Sequence, residues 1–127
     1  MKRILFWAAL IVAAASTTEA GMASKKGLAS WYGEAHRGKL MANGKKFNPD
    51  SLTAASWFYP LGTKVRVTAK AADNSAHSVL VTVTDRGPAH DLVREGRIID
   101  LTHAAYKRLA HPDLGLVSVR VQPANHP

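Results

Sequence analysis

Asp85 heads the tetrapeptide Asp85-Arg86-Gly87-Pro88 and closes a run of alternating β-branched residues. A carboxyl group at a strand end, opening an irregular stretch that runs to about Arg97, is well placed for acid–base work. The same carboxylate also suits a plain turn, in which it accepts hydrogen bonds from nearby backbone N–H groups. Trp31-Tyr32-Gly33 offers aromatic faces of the kind that stack on sugar rings, and core packing is the competing use of such residues. Trp57-Phe58-Tyr59, ahead of Pro60, raises the same choice and reads as packing, as does Phe47. Six His residues are scattered along the chain without a metal-ligand spacing, so no metal site is expected, and His36 and His90 are the two placed on loops that line a cleft. There is no G-x-S-x-G serine setting, no P-loop and no G-x-G-x-x-G, so nothing points to a nucleotide or any other cofactor.

These residues need a scaffold, and the hydrophobic pattern supplies one. Lys64–Thr68, Ser78–Thr84 and Val117–Gln122 each alternate a buried Val with a polar neighbour, the period of a half-buried strand. Gly27–Tyr32 reads as a first strand and Ile98–Leu101 as a shorter apolar one. One helix is predicted over His103–Leu109, capped by Thr102, with Ala105 and Leu109 sharing its buried face. Asp100 also looks well placed for acid chemistry, but its position just ahead of that helix makes N-terminal capping the expected role. Turn signals at Asn43-Gly44, Asn48-Pro49-Asp50, Pro60-Leu61-Gly62, Asp73-Asn74 and Gly87-Pro88 separate the elements. Several short strands with one inserted helix argue for a small all-β barrel.

Composition bounds the rest. The 127 residues fit one domain, and the chain has no Cys, which removes disulfides, thiolate zinc sites and Cys nucleophiles. Seventeen Lys and Arg against nine Asp and Glu give a net charge of +8, which favours an anionic partner. Lys2 and Arg3 precede an apolar run of 12 residues, Ile4 to Ala15, and then Thr18-Glu19-Ala20, the three-part pattern of a cleaved export signal. At 1.5 Å per residue that run makes roughly 18 Å of helix, short of the roughly 30 Å hydrocarbon core. The organisation expected is a signal peptide over 1–20, a linker over 21–26, a barrel over 27–122 and a tail over 123–127. It predicts a periplasmic or secreted monomer with no stable membrane anchor once the signal is cut. Basic charge spread along the chain, together with the export signal, ranks nucleic-acid binding last.

The assembled motifs resemble a known family. G-L-A-S-W-Y-G (Gly27–Gly33), A-N-G-K-K-F (Ala42–Phe47), L-T-A-A-S (Leu52–Ser56), P-L-G-T-K-V-R-V-T (Pro60–Thr68), V-T-D-R-G-P (Val83–Pro88) and R-I-I-D-L-T (Arg97–Thr102) occur in the order of the rare lipoprotein A (RlpA)-like domain. The resemblance implies a six-stranded double-psi β-barrel, peptidoglycan glycan strands as substrate and lytic transglycosylase activity, with a non-catalytic, expansin-like wall-binding barrel as the alternative. It implies Asp85 as the catalytic carboxyl group, with Asp50 as a second candidate if its loop turns inward. Lys45, Asn48 and Ser56 stand where active members carry Glu, Asp and His. Asn and Ser can hydrogen-bond to substrate but cannot exchange a proton near neutral pH. Lys45, with Lys39 and Lys46, makes a basic rim toward an anionic polymer, and Trp31, Tyr32 and Arg86 complete the expected binding set.

Overall fold

The computed structural model describes residues 23–124, so the expected signal peptide lies outside the described residues. Six strands close into a barrel: β1 (Lys25–Tyr32), β2 (Thr53–Ala55), β3 (Lys64–Lys70), β4 (Ala76–Asp85), β5 (Arg97–Thr102) and β6 (Val117–Pro123), in the order β1-β5-β2-β4-β3-β6. The pairs β1/β5 and β2/β4 are parallel, while β1/β6, β2/β5, β3/β4 and β3/β6 are antiparallel. Two short helices, α1 (His90–Arg94) and α2 (His103–Lys107), lie before and after β5.

The barrel interior is what the alternation predicts. Val65, Val67, Val79, Val81, Val83, Val119 and Val121 all turn inward and are buried, joined by Ala29, Ile99 and Leu101. Tyr106 and Ala105 of α2 close one side of this core. Closing the sheet leaves no long edge strand exposed, which suits a barrel built without disulfides.

Three features differ from the sequence expectation. There are two helices rather than one, because His90–Arg94 winds a turn inside the stretch read as irregular. The second helix ends at Lys107, although the Leu109 and Ala110 amides still bond back to the Tyr106 carbonyl. Strand β2 is only three residues long, too short for a period-two signal, and its neighbours define it instead.

Thr102 is fully buried and does two jobs: its Oγ1 donates to the Ser51 carbonyl at 2.6 Å and accepts from the Ala105 amide at 3.2 Å. Thr102→Val keeps the shape and leaves both backbone groups unpaired. It is expected to cost about 1–3 kcal/mol in urea unfolding with an unchanged m-value. Thr68→Val, which removes an exposed hydroxyl pair with Ser78, is expected to cost under about 0.5 kcal/mol.

Candidate active site

One row of residues crosses four adjacent strands. Ser30 of β1 pairs with Asp100 of β5, Asp100 pairs with Ala55 of β2, and Ala55 pairs with Asp85 of β4. Two register shifts make this row. On β5 the step from Leu28↔Arg97 to Ala29↔Ile99 skips Ile98, and on β4 the step from Ala54↔Val83 to Ala55↔Asp85 skips Thr84. Each extra residue is a bulge, and bulges re-aim the side chains that follow. Ala29, Ile99 and Leu101 face the core, so Ser30 and Asp100 face out of the barrel.

The two carboxyl groups are thus set roughly 10 Å apart at the backbone, two strand spacings across the sheet. Between them the floor is small. Ala55 contributes only a methyl group, and Gly87 lies over it. A Cβ on Gly87 would meet Asp100 Oδ2 at 3.3 Å and the Ala55 Cβ at 3.4 Å. Side chains any larger would fill the space between the acids.

Asp100 sits in a largely buried setting. Burial pushes its carboxyl above the ordinary Asp range, while the Ser30 hydroxyl, which donates to Oδ1, and the charges of Arg97 and His36 draw it partly back. Thr102, not Asp100, caps the following helix, so the capping role read from sequence is corrected: Asp100 turns sideways to Ser30. Tyr32, two residues beyond Ser30, stacks on Phe47 at 4.2 Å and meets His36 edge-on at 5.5 Å. Burial, and then the negative charges of Asp85 and Asp100, push its phenol well above the usual range and keep it protonated. Its hydroxyl is buried and makes no hydrogen bond among the described residues.

Asp85 is half-buried and tied by one oxygen. Its Oδ1 accepts from its neighbour, the Arg86 amide, at 2.8 Å and from the Ala42 amide at 2.9 Å. Ala42 sits at the tip of a small hairpin held by Gly38 N to Phe47 O, Phe47 N to Lys39 O and Met41 N to Lys45 O. Gly44, at φ +85°, closes its turn onto Met41 O, a left-handed conformation that glycine adopts freely. Asp85 therefore both reaches the row and anchors the loop that walls it. Lys45 and Lys46 are exposed on that loop, where they line a depression with Thr53, Thr82 and Thr84.

Other expected site residues sit elsewhere. Asp50 and Asn48 are exposed: Asp50 pairs with Arg37 at 2.9 Å, and Asn48 accepts from the Asp50 amide at 2.9 Å. Trp31 lies between Ser30 and Tyr32 but turns to the opposite face of β1, toward the core, donates from Nε1 to the Pro112 carbonyl and packs against His103 at 4.7 Å. Ser56 is 1% exposed, with its Oγ donating to Ile98 O and accepting from Phe58 N. Arg86 donates from Nη1 to the carbonyls of Ser56 and Tyr59. Phe47 and Tyr59 are core, as expected, whereas Trp57 is 42% exposed and stacks on His90. Asp100 was the residue hardest to see in advance; the alternation Ile99-Asp100-Leu101 was the available signal that it faces outward. Among the described residues no group of three or more His, Asp or Glu side chains gathers as a metal site.

The family described as lytic transglycolase matches over residues 24–121. The "Probable endolytic peptidoglycan transglycosylase RlpA" of Synechocystis sp. is 39% identical over 115 residues, covering 88% of this chain and 34% of that protein. The "Endolytic peptidoglycan transglycosylase RlpA" of Vibrio cholerae is 40% identical over 99 residues, covering 78% of this chain and 35% of that protein. The chain thus spans about a third of the length of these curated relatives. In fold it is similar to the Streptomyces papain inhibitor (TM-score 0.57, 24% identity, 78% of this chain and 92% of that one) and to an expansin of Clavibacter michiganensis (TM-score 0.59, 22% identity, 82% and 52%).

Two substitutions separate the structural from the chemical role of the acids. Asp85→Ala releases the Ala42 and Arg86 amides and is expected to cost about 1–2 kcal/mol, whereas Asp85→Asn keeps an acceptor oxygen and costs less. A carboxyl whose folded pKa is raised favours the fold at low pH and loses that contribution as pH rises through the folded value. Asp100→Asn is therefore expected to unfold at higher urea than the parent at pH 7, with the gap closing below pH 4. A parent that is the more stable at pH 7 contradicts the dry setting of Asp100.

Proposed function

Because the chain belongs to the lytic transglycolase family, we propose that it cleaves peptidoglycan glycan strands without water, leaving 1,6-anhydro ends, and that Asp100 and Asp85 carry the chemistry. The observation that supports this most is the row itself: two carboxyl groups on one outward face, separated by the small floor of Ala55 and Gly87. Ala55 and Gly87 are themselves buried, and a glycan chain bound over them would meet one acid on each side.

Asp100 is assigned the proton. Its dry setting favours the neutral form needed at the start. It protonates the glycosidic oxygen as the C1–O bond breaks, and the bonding pair leaves with that oxygen. The oxocarbenium-like centre at C1 faces the Asp85 carboxylate, whose Oδ1 is held by two backbone amides. The sugar's own C6 hydroxyl then closes onto C1 and returns its proton to Asp100. One acid thus serves both steps and is regenerated, with no water consumed. The Tyr32 phenol, on the same strand as Ser30 and kept protonated by burial and by the charges of both carboxyl groups, adds no negative charge to the site.

The basic loop bearing Lys45 and Lys46 is assigned to the anionic groups of the wall polymer, consistent with the +8 charge. From the export-signal pattern over residues 1–20 we infer a periplasmic or secreted location. A second reading, a wall-binding barrel without turnover, draws on Asn48 and Ser56, whose side chains serve the protein's own backbone. Sedimentation with insoluble peptidoglycan that survives Asp85→Asn, with no soluble product, is the outcome that favours it.

Incubation with purified glycan strands is expected to yield 1,6-anhydro ends by mass spectrometry. Asp100→Asn is expected to lower kcat by about 10²–10⁴-fold, the worth of a positioned proton donor. The rate of the parent should fall as pH rises through the raised Asp100 pKa, since the neutral acid is the active form. Absence of anhydro product from the parent, or equal product from Asp100→Asn, refutes the assignment.

A further inference from the structure

The turn after β2 presents an aromatic side chain that the core does not use. Trp57 is 42% exposed, although a Trp would ordinarily bury most of its surface. It is nonetheless rigidly placed. Its Nε1 donates to the Pro88 carbonyl at 2.6 Å, and the His90 ring lies nearly parallel to the indole at 4.5 Å and 26°. The backbone beneath is fixed as well. Ser56 Oγ bonds Ile98 O and Phe58 N, and the Arg86 guanidinium bonds the carbonyls of Ser56 and Tyr59. One hydrogen bond and one ring stack thus hold the exposed indole, and four hydrogen bonds fix the turn that carries it.

Its place in the fold gives this a use. Trp57 is two residues past Ala55, the centre of the carboxylate row, and its hydrogen-bond acceptor, Pro88, follows Gly87, which lies over Ala55 and Asp100. Both chain segments that form the floor between the acids run directly into this platform. An aromatic face next to such a floor is chemically matched to the C–H face of a pyranose ring, which is apolar on one side and hydroxylated around its edge.

We propose that Trp57, backed by His90, is a sugar-stacking subsite that holds a pyranose ring of the strand beyond the one cleaved at Asp85 and Asp100. Ser56 and Arg86 are its positioning residues, which is why both bond the 56–59 turn. The inference rests on the glycan-cleaving reading for the identity of the ligand.

The test uses the full chain carrying Asp100→Asn, so that a probe is bound without turnover. A soluble, peptide-free peptidoglycan tetrasaccharide is titrated while indole fluorescence and saturation transfer to sugar protons are followed. Trp57→Ala is expected to weaken binding about tenfold or more, and Trp57→Phe, which keeps an aromatic face, by less than about threefold. In the otherwise native chain Trp57→Ala is expected to raise KM while leaving kcat within about twofold, the split of a site remote from the bond broken. Unfolding curves of each variant control for loss of the fold. Equal binding by parent and Trp57→Ala overturns the subsite while leaving the cleavage reading intact. If the parent binds no tetrasaccharide at all, the glycan reading fails and the subsite with it. Binding that depends on Trp57 but belongs to free stem peptide rather than to sugar also overturns the proposal.

Discussion

The register of four strands is the constraint on which this site depends. Side chains in a sheet alternate faces, so a slip of one residue sends an acid from the outer groove to the core. Asp100 and Asp85 each follow a bulge, at Ile98 and at Thr84, and each bulge restores the phase that puts a carboxyl group in the row through Ala55. The inward residues of the same strands, Ile99, Leu101 and Val83, are fully buried. The core therefore locks the register, and the register places the acids.

Around the row, polar side chains hold backbone rather than waiting for substrate. Asp85 fastens the tip of the 38–47 hairpin, Ser56 and Arg86 clamp the 56–59 turn, and Thr102 ties the Ser51 carbonyl to the start of α2. Without disulfides, a small barrel has few other means of fixing its loops. These bonds fix the loops around the row, and fixed loops keep Asp100 in its buried setting and Asp85 tied to the Ala42 and Arg86 amides.

Much of the barrel was legible in the chain. Val65/Val67, Val79/Val81/Val83 and Val119/Val121 announced three strands by alternation, and all of them face the core. The family motifs supplied the closed topology and pointed to Asp85. Strand β2 was too short to show a period, and α1 was hidden in a stretch with no apolar repeat. Asp100 was obscured because an acid ahead of a helix has an ordinary use as a charge near its N-terminus, and only the pairing with Ser30 decides against it. Trp57 was obscured for the converse reason: an aromatic triplet before a proline suggests core, and two of the three, Phe58 and Tyr59, do pack there. Asp50 and Asn48 carry suitable chemistry, but Arg37 and a local turn engage them away from the row.

Strand register sets Asp100 in a buried position on the outward face of the sheet, and the proposed proton donor rests on that placement. Site-resolved NMR titration of the Asp100 side-chain carboxyl carbon tests this directly. A midpoint clearly above the value of about 3.9 for an unperturbed Asp is expected. Gly87→Ala, which presses a methyl group toward Oδ2, is expected to move that resonance. A midpoint at or below the ordinary value, unmoved by Gly87→Ala, would contradict that placement.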